Sequence, residues 1–131
     1  MLATSHNAYS VLITDDDSGS REALRDIMEP EGYRTLLASS GEEALDIVRE
    51  ESVHVALFDM NMPKLSGLET LELVRQINAM LPVILVTADR TETLMRQALH
   101  AQAYSVIAKP VSKHIVLYTV VRALARAYGE P

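Results

Sequence analysis

Acidic, hydroxyl and cationic side chains stand at the ends of several apolar runs of strand length in this sequence. Asp15 and Asp16 follow one run, Asp59 follows another, and Thr87 and Lys109 mark the ends of two more. Clustered carboxylates repel one another, and a hard divalent cation such as Mg²⁺ relieves that repulsion. A carboxylate can also attack phosphorus to give an acyl phosphate when nearby groups hold the added negative charge. The residue types therefore indicate metal-assisted phosphoryl chemistry.

These side chains meet only if the apolar runs form one parallel sheet. Five such runs alternate with segments of helical period, which is typical of βα units in a sheet covered on both faces. Ligands of an open parallel sheet bind beyond the carboxyl ends of its strands, where the strand order reverses. The predicted strands are Ser10–Thr14, Tyr33–Ala38, Val53–Phe58, Val83–Thr87 and Ser105–Ala108.

Helix signals fill the intervals between the strands. Arg21–Glu29 has an apolar face and stops at Pro30, which cannot continue a helix. Ser40 and Ser66 are each followed three residues later by a glutamate, which predicts a capping box at the start of the second and third helices. The fourth and fifth helices are predicted at Glu92–Ala101 and Lys113–Tyr128.

Length and composition favour one compact domain. The chain has 131 residues, of which 48% are hydrophobic, so it can bury a substantial core. We expect a single domain over 1–131, with 1–8 as an N-terminal extension and 129–131 as the start of a linker. The net charge of -6 disfavours nucleic-acid binding, and the lack of cysteine excludes disulfides and thiolate metal sites. No secretion or membrane signal is evident, so we expect a cytoplasmic protein that does not bind membranes.

Four motifs, in this order along the chain, resemble those of the receiver domain of two-component response regulators. The chemotaxis regulators belong to this class. The four motifs are "VLITDDDSGSREAL", "VALFDMNMPKLSGLETL", "LPVILVTA" and "VIAKPVS", and together they cover essentially the whole chain. The resemblance implies an α/β fold: a doubly wound, flavodoxin-like (βα)5 domain with a five-stranded parallel sheet in the order 2-1-3-4-5.

The resemblance implies a phosphoacceptor and a metal site at the acidic residues. Asp59 would accept a phosphoryl group, while Asp15 and Asp16 would bind Mg²⁺ together with it. Asn61, two residues after Asp59, is expected to add its backbone carbonyl to the metal. Mn²⁺ is the expected substitute for Mg²⁺.

The resemblance also implies a switch beside the phosphoacceptor. Thr87 and Ala88 would bind and sense the phosphoryl group, and Lys109 would contact it. The peptide bond between Lys109 and Pro110 is expected to be cis, as it commonly is in the family.

The chain departs from the family pattern near its last strand. Receivers usually have Tyr or Phe three residues before the lysine, a ring that moves inward with the threonine, whereas this chain has Val106. Tyr104 would point in the same direction on a strand and is a candidate substitute. The alternative is a switch that relies on Thr87 and loop movement. The common Gly-Ala before this strand is replaced by Gln102-Ala103, so the turn is also expected to differ.

The resemblance implies a histidine kinase or histidine phosphotransfer domain as phosphoryl donor. The modified domain would then change its affinity for an unidentified effector, or for a second copy of itself, through the face built from the fourth helix, fifth strand and fifth helix. The fifth helix has a wider apolar surface than one core-facing stripe needs, which suits either such an interface or a thickly packed terminal helix. Its apolar residues are Ile115, Val116, Leu117, Val120, Val121 and Leu124.

Three other functions remain as alternatives. An atypical receiver would dock without phosphorylation; the complete set of acids with Thr87 and Lys109 argues against this, while Val106 keeps it open. An aspartate-dependent phosphohydrolase would need a second acid where Asn61 stands, so we expect self-phosphorylation and slow loss of the phosphoryl group but no enzyme. A nucleotide or flavin module would need a glycine- or hydroxyl-rich loop after the first strand, where this chain has acids.

Overall fold

Five parallel strands alternate with five α-helices in the computed structural model, which describes residues 9–129. The strands are β1 (Ser10–Thr14), β2 (Arg34–Ala38), β3 (Val55–Asp59), β4 (Val83–Thr87) and β5 (Ser105–Ala108). The helices are α1 (Ser18–Met28), α2 (Gly41–Glu50), α3 (Gly67–Ile77), α4 (Glu92–His100) and α5 (Lys113–Tyr128). The expected extension at residues 1–8 and the last two residues of the expected linker start lie outside the described residues.

The strand order is β2-β1-β3-β4-β5, which confirms the predicted sheet. Because the order reverses between β1 and β3, the carboxyl ends of these two strands flank the crevice where ligands of such folds bind. Each face of the sheet is covered by its own core cluster. The helices α2, α3 and α4 contribute to one cluster, and α1 and α5 contribute to the other.

The ends of several strands and helices differ by one to three residues from those predicted from the sequence. Strand β3 begins at Val55 and includes Asp59, which pairs with Val86 of β4. Helix α1 begins at Ser18, three residues before the predicted start, because the Asp17 side chain accepts a hydrogen bond from the Ser20 amide. Strand β2 begins at Arg34 and α4 ends at His100, each one residue inside the predicted bounds.

The two predicted capping boxes differ. At α3, Ser66 and Glu69 exchange both hydrogen bonds, so that box is complete. At α2, Ser40 accepts from the Glu43 amide, but the Glu43 carboxylate accepts from the Ser39 amide and hydroxyl. The second half of the box is therefore displaced by one residue.

The turn between α4 and β5 has an unusual backbone. Gln102 adopts a φ of 64°, in the left-handed region that favours glycine. A side chain in this region costs about 1–2 kcal/mol. The Arg75 guanidinium donates to the Gln102 carbonyl at 2.8 Å and so helps to hold this turn.

Within residues 9–129, no helix has the length and apolar character that crossing a bilayer requires.

Candidate functional site

Three carboxylates meet at the carboxyl edge of the sheet. Asp15 follows β1 and Asp59 ends β3, and because these strands are neighbours their last residues lie side by side. Asp15 and Asp59 are buried, whereas Asp16 is exposed. One carboxylate oxygen from each of the three lies within 4.8 Å of the other two. The structure thus brings together the acids that the sequence placed at one edge.

Lys109 is the cation beside these acids. Its Nζ lies 2.9 Å from Asp59 Oδ1 and 3.6 Å from Asp15 Oδ2. Burial alone would lower the pKa of Lys109, but the two carboxylates raise it overall, so the ammonium form is favoured. The Lys109–Pro110 peptide bond is cis, and the Lys109 amide donates to the Thr87 carbonyl at 2.8 Å.

The Asp59 carboxylate is incompletely satisfied. Among residues 9–129, no group donates a well-directed hydrogen bond to Asp59 Oδ1, although this oxygen is buried. Its contact with Lys109 is a close ion pair whose geometry falls short of a hydrogen bond. A buried acceptor without a donor is uncommon in folded proteins. The oxygen is therefore available to a further electropositive group.

Asp15 is fixed in place by its neighbours along the chain. Its Oδ1 accepts a hydrogen bond from the Asp17 amide at 2.9 Å, and its carbonyl accepts one from Arg21 Nη1 at 2.7 Å. Burial raises the pKa of Asp15, the Asp17 amide lowers it, and the negative charge of Asp59 raises it further; the net direction is upward. The ionised carboxylate is thus held in a place that disfavours its charge.

The donor set fits a hard divalent cation. All candidate ligands are oxygens, and two of the carboxylates are buried with one lysine to balance them. Mg²⁺ prefers this type of ligand. Asn61, the expected carbonyl ligand, is exposed in the loop after β3.

Thr87 ends β4, next to β3, and its hydroxyl is already engaged. The side chain is buried, and its Oγ1 accepts a hydrogen bond from the Asp89 amide at 3.1 Å. The same hydroxyl donates to the Asp89 carbonyl at 3.3 Å. Ala88, between them, is exposed. The loop after β4 is therefore a small turn closed on the threonine hydroxyl.

Gly67 allows helix α3 to pack closely against the backbone of Asp59, a role that the sequence did not predict. A Cβ at this position would lie 2.5 Å from the Asp59 carbonyl oxygen and 3.0 Å from the Met60 Cα. The first turn of α3 can thus approach the end of β3 only without a side chain here. The available signal was a glycine directly after the cap residue Ser66, where a better helix former would be expected.

Tyr104 and Val106 do not share a side-chain direction, which corrects the expectation. Tyr104 precedes β5 and packs with the cluster on the α1 and α5 side, whereas Val106 packs with the opposite cluster. The alternation of side-chain directions does not extend to Tyr104, because strand β5 begins at Ser105. Tyr104 also lines a groove of about 720 Å³ at the amino edge of the sheet, away from the acids. It is not placed to substitute for the missing ring.

The apolar surface of α5 divides into two parts. Val116, Val120 and Leu124 are buried in the core, whereas Ile115 and Val121 are exposed. On α4, Met95 and Leu99 also expose much of their surface, and Tyr118 does so on α5.

Comparisons with known proteins find a matching family model, sequence relatives and solved structures of the same fold. A family model described as "Response regulator receiver domain" matches residues 11–121. The chain is 30% identical to the transcriptional regulatory protein ZraR of Escherichia coli (strain K12) over 95% of this chain and 28% of ZraR. It is 35% identical to sporulation initiation phosphotransferase F of Bacillus subtilis (strain 168) over 76% of this chain and 81% of that protein.

A solved structure with the same fold is a CheY-like response regulator receiver domain protein from Methanospirillum hungatei JF-1. It superposes with a TM-score of 0.89 at 29% identity, over 94% of this chain and 98% of that one. The chain spans only 28% to 54% of the length of the first three curated relatives that it matches.

Proposed function

The chain belongs to the response regulator receiver domain family, and from that premise we propose that Asp59 is the phosphoacceptor of a two-component system. The observation that carries the proposal is the buried Asp59 Oδ1, which has no hydrogen-bond donor among the described residues and lies 2.9 Å from Lys109 Nζ. Such an oxygen retains acceptor capacity that a fully hydrogen-bonded carboxylate would lack. We propose that residues 1–131 form one receiver domain that acts in the cytoplasm.

The proposed reaction is phosphoryl transfer to the Asp59 carboxylate. An Asp59 oxygen forms a bond to phosphorus, and the bond from phosphorus to the imidazole nitrogen of a donor phosphohistidine breaks. The nitrogen keeps the electron pair, and the product is an acyl phosphate. The donor would be a histidine kinase or a histidine phosphotransfer domain.

Residues around Asp59 would hold the charge that this transfer brings. Asp15, Asp16 and Asp59 would bind Mg²⁺ together with the Asn61 carbonyl, and the cation would neutralise negative charge on the phosphoryl oxygens. Lys109, which already contacts Asp59, would shift to a phosphoryl oxygen. Thr87 and the Ala88 amide would complete the set of donors.

The output of the domain is a change in partner affinity. The α4–β5–α5 face exposes Met95, Leu99, Ile115 and Tyr118, which suits an effector or a second copy of the domain. Phosphorylation can change binding at this face only if the phosphoryl group favours one of two conformations. We expect no turnover of outside substrates, because Asn61 stands where a phosphohydrolase needs a second acid.

The proposal is tested by intact mass after incubation with acetyl phosphate. We expect the gain of one phosphoryl group in the presence of Mg²⁺, and no gain with EDTA or in Asp59→Asn. Asp26→Asn is the matched control, because Asp26 is an exposed acid on α1 far along the chain from β3. A folded wild-type protein that gains no mass and binds no beryllofluoride would contradict the proposal and favour docking without phosphorylation.

A further inference from the structure

We propose that Arg90 is a positioning residue that couples the turn after β4 to strand β5, and that its contact with β5 opposes binding of a phosphoryl group. This inference rests on the proposed function, because it concerns the regulation of the same site. Arg90 lies three residues after Thr87, and its Nη1 donates to the Val106 carbonyl at 3.3 Å. The contact therefore ends at the residue that stands in the position of the family's aromatic ring.

The Thr87 hydroxyl already takes part in two hydrogen bonds within the turn after β4. It donates to the Asp89 carbonyl and accepts from the Asp89 amide, at 3.3 and 3.1 Å. A hydroxyl has one proton to donate. Thr87 can therefore donate to a phosphoryl oxygen on Asp59 only after it gives up its bond to the Asp89 carbonyl.

The chain beyond Asp89 links this turn to strand β5. Arg90 is the next residue, so a displacement of the Asp89 peptide also displaces the Arg90 backbone. The Arg90 guanidinium donates a hydrogen bond to the Val106 carbonyl of β5. It takes part in no ion pair among residues 9–129. Opening of the turn therefore strains or removes the Arg90–Val106 contact, which stabilises the closed turn.

The Arg90–Val106 contact and the binding of a phosphoryl group both depend on the turn after β4. Two equilibria that share one structural element are coupled, and the coupling acts equally in both directions. If the Arg90–Val106 contact stabilises the closed turn, removal of the contact must strengthen binding of a phosphoryl mimic. Binding of the mimic must likewise weaken the contact with the Val106 carbonyl.

A purely electrostatic role for Arg90 predicts the opposite sign. Loss of a positive charge near the site would weaken the binding of an anion. The direction of the change in affinity thus distinguishes a positioning role from a charge effect.

The test is a titration with beryllofluoride and Mg²⁺, followed by NMR. Arg90→Ala should bind about threefold to tenfold more tightly than wild type, the range expected for loss of one opposing hydrogen bond. Arg90→Lys, which retains a donor, should lie between the two. Arg96→Ala is the matched control, because Arg96 is an exposed arginine on α4 whose ion pair within residues 9–129 is with Glu92; the affinity of this variant should stay within about twofold of wild type.

The Val106 carbonyl provides a second readout that a general change in stability would not move. Its ¹³C chemical shift should change when beryllofluoride binds to wild type, and should already be displaced in free Arg90→Ala. Affinity that is unchanged or weaker in Arg90→Ala would overturn the role of Arg90 while the proposed function stands. A wild-type protein that binds no beryllofluoride and gains no phosphoryl group would overturn both.

Discussion

The two edges of the sheet satisfy their polar groups in different ways. At the carboxyl edge, Asp15 and Asp59 are buried beside one lysine, and Asp59 Oδ1 lacks a hydrogen-bond donor among the described residues. At the amino edge, the Arg75 guanidinium is bonded to several backbone carbonyls. These carbonyls belong to Asn78, Leu81, Ala101 and Gln102.

Aromatic side chains complete the amino edge. Tyr9, His54 and Tyr128 pack with ring centroids 5.2 to 5.6 Å apart. The Ser10 amide donates to His54 Nδ1, and the Tyr128 hydroxyl donates to the His54 carbonyl. The amino edge is thus organised for stability, whereas the carboxyl edge retains excess negative charge that a divalent cation would balance. Sites that bind ligands often give up stability in this way.

The largest expected effect is at Arg75, which supports only the amino edge. Arg75→Ala removes four hydrogen bonds at once, two of them to the partly buried carbonyls of Leu81 and Ala101, and should lower the free energy of unfolding by about 2–4 kcal/mol. Urea denaturation measures this loss. Arg49→Ala, which removes an exposed partner of Asp46, should cost less than about 1 kcal/mol. Equal losses in the two variants would contradict the structural role of Arg75.

The substitution Gly67→Ala perturbs the carboxyl edge through packing, without a change in charge. A methyl group at Gly67 would meet the Asp59 backbone, so Gly67→Ala should destabilise the fold by about 1–3 kcal/mol and slow phosphorylation of Asp59. Gly19→Ala is the control, because a Cβ there makes only an ordinary contact of 3.4 Å and lies in α1. It should stabilise the protein slightly. Normal stability and phosphorylation of Gly67→Ala would contradict the close approach.

Asp15 tests whether charge at the carboxyl edge costs stability. Burial raises the pKa of Asp15, so the stability that it contributes is fully present below its unfolded pKa of 3.8 and falls as pH rises through its folded pKa. At neutral pH without divalent cations, Asp15→Asn should therefore melt a few degrees higher than wild type, and Mg²⁺ should no longer stabilise it. A lower melting temperature than that of Asp26→Asn, which removes an exposed charge, would count against this explanation.

The smallest expected effect has the opposite pH dependence and arises at the amino edge. Burial lowers the pKa of His54, so the stability that it contributes is present above its unfolded pKa of 6.5 and is lost as pH falls through its folded pKa. Thermal unfolding between pH 7.5 and 5 should show this loss in wild type and a weaker loss in His54→Gln. Parallel curves for the two proteins would assign the acid sensitivity to other groups.

The sequence predicted the sheet and the position of the acids because both depend on local pattern. Five apolar runs gave five parallel strands, and the carboxyl ends of such strands necessarily share an edge, so Asp15 and Asp59 were expected together. The contacts that the sequence did not predict join segments far apart. Tyr128 meets His54, 74 residues away, and Arg90 meets Val106, 16 residues away. No local pattern encodes such contacts.

Gly67 and Tyr104 show the limits of local rules in more detail. The clash at Gly67 depends on how closely α3 approaches β3, which packing sets after both elements have formed. The predicted direction of the Tyr104 side chain required a strand that includes Tyr104. Strand β5 begins one residue later, at Ser105. Period-two alternation predicts side-chain direction only within the strand itself.

The stacked rings of Tyr9 and Tyr128 bring together the two ends of the chain that the structure describes. Their centroids are 5.6 Å apart, so the first and last segments that the structure describes emerge side by side. Neighbouring ends are what allow a domain to be inserted into a loop of another protein without distortion of either fold. Insertion of residues 9–129 into one loop of a host protein should therefore leave both folds intact, with Asp59 at the edge of the sheet opposite the host.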